Sequence, residues 1–175
     1  MPFWWYTTRA VVYSVTDAPP SAPPLTLLSS LYLRRYLVLL DDDVFFSAST
    51  RLDDLLDTLE AQPQVAVAAG AYAQYSSREA SMYVHDYSLR FAASTTEADC
   101  WYAYTPTPPT PGTCYPVHGA HNFFMARTSA LRAYPWHSKM SIFEHEHFFF
   151  QLFLAKQQVL SCPHVSVFHY RGKLR

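Results

Sequence analysis

Glycine is scarce, with four in 175 residues. A phosphate-cradling loop needs glycines close together so that the backbone can approach the anion. The chain has neither a Walker loop nor a GxGxxG fingerprint. Phosphate, if bound, must therefore be held through side chains and a metal. GxSxG and HExxH are also missing, and His145-Glu146-His147 has the wrong spacing for a zincin helix. Charge is sparse, at 15% of residues and a net -1. Arg34–Arg35 and the basic spot at 171–173 are isolated, so no nucleic-acid groove is expected. Three cysteines, Cys100, Cys114 and Cys162, are too few and too odd for a disulfide framework. A Cys100–Cys114 pair would close a Pro-rich loop in an oxidising compartment. No window approaches the ~20 apolar residues of a membrane helix. The first ten residues lack the basic and apolar regions of a signal peptide.

What is abundant is apolar and aromatic. Half the residues are hydrophobic, with 13 Tyr, 12 Phe and 4 Trp. That composition builds a globular core, and aromatic platforms are also what sugar-binding clefts use. The length suits one domain.

The most informative stretch is residues 36–46, YLVLLDDDVFF. An unbroken apolar run reads as a strand buried on both faces, with Asp41, Asp42 and Asp43 at its carboxyl end. Open α/β sheets place ligands there. Adjacent carboxylates repel one another, and a divalent cation relieves the repulsion. In an extended chain Asp41 and Asp43 would share a face, offering hard oxygens to Mg²⁺ or Mn²⁺. The plainer alternative is a solvated loop with a capping aspartate.

Elsewhere the pattern predicts a strand at 9–15, a Pro-rich loop at 17–24 and a helix at 25–36. Thr50 is placed to cap a helix in which Leu52, Leu55, Leu56 and Leu59 recur at helical spacing. A buried strand follows at 65–72, and strand–helix–strand reads as a βαβ unit. Residues 82–104 suggest a β-rich insert, and 105–112 a Pro/Thr loop. Strand character returns at 115–126. Thr128 can cap a short helix through Tyr134. A buried helix is expected over 142–157, and one or two strands over 159–169.

Glu144-His145-Glu146-His147 opens that last long helix. Two residues apart on a helix is about 200°, so the two glutamates do not share a face. A carboxylate held beside Phe148–Phe150 should have a raised pKa and suit a general base. The competing explanation is a polar first turn. His118, His121 and His169 are further candidates, with His169 at a strand end where it could complete a metal shell.

The order of these features is familiar. Asp41–Asp43 with Phe45, then Thr50-Arg51-Leu52, VAVAAGAY, HNFFMART at 121–128, EHEHFF at 144–149 and VSVFHYR at 165–171 together resemble GT-A glycosyltransferases. The likeness is to the β-1,4-N-acetylgalactosaminyltransferase (GM2/GD2 synthase-like) group and its GT2-like relatives, over roughly residues 30–171. The resemblance implies a Rossmann-like α/β fold with a mixed, mostly parallel sheet flanked by helices. It implies inverting transfer of GalNAc or another hexose from a UDP-sugar to a hydroxyl on a glycan, glycolipid or glycoprotein. By the same likeness, Mn²⁺ (or Mg²⁺) would be held by Asp43, Asp41 and His169. Asp41, Asp42, Asn122 and Phe123 would bind donor and nucleotide. Glu146 would be the base, with Glu144 its competitor. The family's Asp after the second Glu is His147 here. A fuller nucleotide-binding unit usually precedes the aspartates, whereas only 35 residues precede Tyr36. The sequence thus reads as amino-terminally incomplete, with any membrane anchor upstream and the Golgi lumen as its expected compartment. Two other readings stay open: an inactive relative that binds glycan or a partner protein, and a metal-dependent hydrolase using Asp43, His121, Glu146 and His169.

Overall fold

The computed structural model describes residues 11–14, 35–41, 43–76, 81–85, 89–92, 101–104, 112–135 and 144–169. The expected loop at 17–24, the expected helix at 25–36 up to residue 34, and nearly all of the Pro/Thr loop lie outside these residues. The strands are β1 (Val11–Ser14), β2 (Tyr36–Leu40), β3 (Val44–Phe45), β4 (Val65–Ser76), β5 (Ser81–His85), β6 (Leu89–Ala92), β7 (Trp101–Tyr104), β8 (Tyr115–Val117), β9 (Phe123–Arg127) and β10 (Gln158–His169). The helices are α1 (Leu52–Ala61), α2 (Thr128–Ala133) and α3 (Glu144–Leu154).

The main sheet has the order β1-β2-β9-β4-β10-β3, with β5 on β4 and β8 on β10. Among the described residues β4–β10 is its only parallel pair; the others are antiparallel. The expected mostly parallel, Rossmann-like GT-A sheet is therefore wrong for this chain. The reason is β9. It enters antiparallel between β2 and β4, pairing Leu40 with Phe123 on one side and Ala69 with Phe124 on the other. The two strands read as one βαβ unit are thus not neighbours. A two-sided apolar run carries no signal of direction or partner, so the sequence pattern could not reveal this. Of the expected insert, β5 extends the main sheet while β6 and β7 form a separate pair.

Helices cover both faces. Phe123, Met125, Val38 and Leu40 meet Leu55 and Leu59 of α1 on one face. Phe124, Ala126, Leu37 and Leu39 meet Phe148, Phe149 and Leu152 of α3 on the other. Leu55 and Leu59 are fully buried, worth about 1.5–3 kcal/mol each relative to exposure. Gly70 makes room for the inserted strand: a Cβ there would lie 2.2 Å from the Phe123 ring and 2.6 Å from the Val165 carbonyl oxygen. Opposite Gly70 the ladder is irregular, and β10 runs from Ser161 to Ser166 while β4 runs only from Ala69 to Ala71.

Several local expectations change. Asp53 and Asp54 do lie in the first turn of α1, but Arg51 holds the cap position without a side-chain cap bond. The Thr50 hydroxyl instead accepts from the Ser47 amide and donates to the Ser166 carbonyl, docking the loop onto β10. The disulfide joins Cys114 to Cys162, not to Cys100. Antiparallel β8 sets Tyr115 against Ser161, so the next positions out along the two strands are the two cysteines. Closing 48 residues limits the unfolded chain by about 4 kcal/mol in the loop-entropy picture.

Arg127, the last residue of β9, ties the layers together. Its Nε donates to the Val65 carbonyl at 2.8 Å and one terminal nitrogen to the Tyr36 hydroxyl at 3.0 Å. The other donates to the carbonyls of Leu59 and Gln62. No basic residue lies in the last turn of α1. Arg127 supplies the positive charge that the carbonyl-bearing end of a helix favours. Its guanidinium also lies 5.4 Å from the centre of the Tyr36 ring.

Helix α3 is shorter than expected. It closes on Lys156, held at φ 56°, with Lys156 donating to Phe153 and Gln157 to Leu152. This is the bonding of a left-handed C-terminal cap, a position that favours glycine.

Two outcomes are expected in denaturant unfolding. Arg127→Lys keeps the charge but loses the planar fork, and should cost about 2–4 kcal/mol; a loss below about 1 kcal/mol would show that the fork is dispensable. Lys156→Gly should raise stability by about 1 kcal/mol, because it removes the left-handed penalty.

Candidate functional site

Strands β2 and β4 both lie antiparallel to β9, and β4 is parallel to β10. Strands β2, β4 and β10 therefore run the same way. Their carboxyl ends meet the amino end of β9 at one edge of the sheet. That edge collects Asp41 after β2, Tyr72 and Gln74 on β4, His169 at the end of β10, and His121 and Asn122 before β9.

Asp41 is held from two sides. Tyr72 donates its hydroxyl to Oδ2 at 2.7 Å, and Asn122 donates Nδ2 to Oδ1 at 2.6 Å. Donors aimed at an ionised carboxylate make strong, orienting bonds. Burial raises the Tyr72 pKa, and the Asp41 charge and hydrogen bond raise it further. The phenol thus stays protonated and remains a donor. Its ring is stacked between two imidazoles, His121 at 4.3 Å and His169 at 4.8 Å between centroids.

Asp43 has a different setting. Strand β2 stops at Leu40, and Asp43 lies in the turn before β3. The alternation expected to align Asp41 with Asp43 therefore does not extend to it. Strand β3 pairs with the end of β10, setting Val44 against His169. His169 Nε2 consequently lies 3.1 Å from Asp43 Oδ2, while the side chain of Asp43 is 52% exposed and that of His169 14%. The other ring nitrogen of His169 lies 2.7 Å from Gln74 Nε2.

Among the described residues no three His, Cys, Asp or Glu side chains converge as a metal cage. Asp43 and His169 nonetheless form a two-donor edge with a solvent-facing carboxylate. Such a pair could give two ligands to a divalent cation, with water filling the rest of the shell. Each oxygen of Asp41 already accepts one bond and keeps one lone-pair direction.

Phe123 is fully buried in the core beneath the edge. Asp42 lies outside the described residues. Glu144 begins α3, and its side chain also lies outside them. Glu146 is in the first turn of α3, the helix whose Phe148 and Phe149 pack on Phe124. Among the described residues no hydrogen bond or ion pair joins Glu146 to Asp41 or Asp43. Its pKa was expected to be raised. Burial does push upward, but the hydrogen bond and charge of His145 together with a backbone hydrogen bond prevail, and the net shift is downward. His145 Nε2 lies 3.2 Å from Glu146 Oε1, and Oε2 is buried with no hydrogen-bond partner among the described residues.

Tyr72 and Gln74 are the functional positions that sequence reasoning missed. The available signal was their spacing: two apart in a strand, they share a face at its carboxyl end. No known family model matches the chain, and no curated protein does either.

Because the folded pKa of Glu146 is depressed, its ionised form stabilises the fold fully above the unfolded value, near 4.5, and that contribution is lost as pH falls through the folded value. Unfolding measured from neutral pH downward should show wild type losing stability relative to Glu146→Gln below that range. Parallel acid profiles would contradict the His145–Glu146 pairing.

Proposed function

We propose that the chain transfers a hexosyl or N-acetylhexosaminyl group from a UDP-sugar to a hydroxyl acceptor, with a divalent cation. The observation that carries this reading is the contact between Asp43 and His169 beside a fixed Asp41, at the edge where three strands end. The motif likeness of 121–128 and 144–149 supports the choice of donor. The mostly antiparallel sheet lends no support, so the proposal stands on side chains alone.

In this reading Asp43 and His169 would hold the cation. When bound, it supplies charge stabilisation to the leaving diphosphate. Asp41, oriented by Tyr72 and Asn122, accepts a hydroxyl of the donor ribose. The acceptor oxygen forms its bond to the anomeric carbon as the carbon–phosphate oxygen bond breaks, and that electron pair leaves with UDP. Glu146 takes the acceptor proton. A depressed pKa keeps its carboxylate ionised at neutral pH, ready to receive the proton but less basic than a raised one. The Cys114–Cys162 disulfide fits an oxidising, lumenal compartment.

Calorimetry of UDP in the presence of Mn²⁺ tests the site. Asp43→Ala and His169→Ala should each weaken binding by about tenfold or more, and unchanged affinity in both would remove the assignment. Glu146→Gln should bind as wild type and turn over about 10²–10⁴-fold more slowly. A wild-type chain that neither binds UDP nor hydrolyses a UDP-hexose would favour the non-catalytic binding role.

A further inference from the structure

We propose that a cleft at the amino end of β4 binds a small oxyanion, a phosphate or carboxylate group, with Arg127 as its cationic anchor. The proposal is independent of the transferase reading. Arg127 pairs with Tyr36 at the amino end of β2, whereas Asp41 follows the carboxyl end of that strand. The two sites therefore lie at opposite ends of the sheet.

The cleft has a volume of about 220 Å³. It is lined from the start of β4, the end of β9 and α2, with Gln157 added just ahead of β10. Drug-sized ligands begin to fit at roughly 300 Å³, so the occupant is small. Every polar side chain on the lining can donate a hydrogen bond: the Arg127 guanidinium, the hydroxyls of Ser129 and Tyr134, and the amides of Gln64 and Gln157. No Asp or Glu among the described residues lines it. Pro63 adds an apolar surface for the carbon body of a ligand. Hydroxyls and amides alone would serve a neutral carbonyl equally well. A permanent positive charge with no acid opposite it selects an anion.

No side chain neutralises that charge. The guanidinium donates to the carbonyls of Val65, Leu59 and Gln62 and to the Tyr36 hydroxyl. Among the described residues no carboxylate pairs with it, whereas Arg35 pairs with Glu60 and Arg51 with Asp54. The carbonyls at the end of α1 offset only part of the charge, since a helix terminus carries roughly half an elementary charge. A half-buried cation that keeps net charge attracts an anion more strongly than a fully solvated one. Those four bonds also leave one of the five guanidinium N–H groups for a ligand oxygen.

The test is ¹H–¹⁵N NMR of the full chain, following the Arg127 Nε–H and the backbone amides of Gln64 and Ser129. Inorganic phosphate or acetate is titrated in, with ionic strength held constant by chloride. Saturable shifts at these groups are expected. Saturation by phosphate alone assigns a phosphate ligand, by acetate alone a carboxylate ligand, and by both a general oxyanion site. Ser129→Asp sets a carboxylate in the cleft at an exposed position in the first turn of α2. It should weaken anion binding about tenfold or more through like-charge repulsion. Ser129→Asn keeps a donor there and should still saturate. Neither variant removes a bond of Arg127, so the layers it ties stay fastened. Shifts that rise linearly with concentration for both anions overturn the proposal, and so does a Ser129→Asp chain with wild-type affinity.

Discussion

The fold depends on one strand running against its neighbours. Strand β9 separates β2 from β4, and its four buried residues alternate between the two faces of the sheet. Everything above and below is positioned by that insertion. Gly70 gives up its side chain for the Phe123 ring, while Phe124 provides the surface on which α3 settles. Arg127 then fastens the end of β9 to the end of α1 and the start of β4. A guanidinium with several donors can satisfy carbonyls from separate elements at once, which a lysine cannot do in one plane. The same insertion brings Asn122 to the strand ends, where it meets Asp41.

The acidic run divides its labour according to where the strand stops. Asp41 is the last residue still governed by the sheet, and its carboxylate is turned inward to Tyr72 and Asn122. Asp43 has left the sheet and, among the described residues, is fixed through β3 and His169. Identical chemistry two residues apart thus yields one carboxylate with little freedom and one that faces water. The first suits orientation of a neutral hydroxyl and the second suits attraction of a cation, because a hydrated ion needs accessible oxygen.

Much of the local structure was legible in the sequence, since periodicity reports burial. Leu52, Leu55, Leu56 and Leu59 mark α1, and the runs at 36–40 and 65–72 mark β2 and β4. Sheet order was not legible, because Phe123–Ala126 is equally apolar whichever way it runs. The bonding role of Thr50 escaped because a hydroxyl at a helix start can serve the loop before it as readily as the helix. The shift at Glu146 was misjudged for a related reason: aromatic neighbours were visible along the chain, but the orientation of His145 toward the carboxylate was not. For the site, Asp41, Asp43, Asn122 and His169 could be named in advance. Tyr72 and Gln74 were not named, because their signal was a spacing of two, which any strand shows at every other residue.

The irregularity in β10 has a consequence for the site. Between Ser161 and Ser166 that strand advances five residues while β4 advances two. The surplus is odd, so the pleat changes phase. Even-numbered Leu160 and Cys162 share a face with odd-numbered Val165 and Val167. His169 inherits the later phase and reaches Tyr72; with the earlier one its imidazole would point to the opposite side of the sheet. The pairing of Asp43 with His169 is thus set by a count of residues earlier in β10, away from both side chains. Loss of a single residue between 162 and 165 would part the two without altering any group in the site.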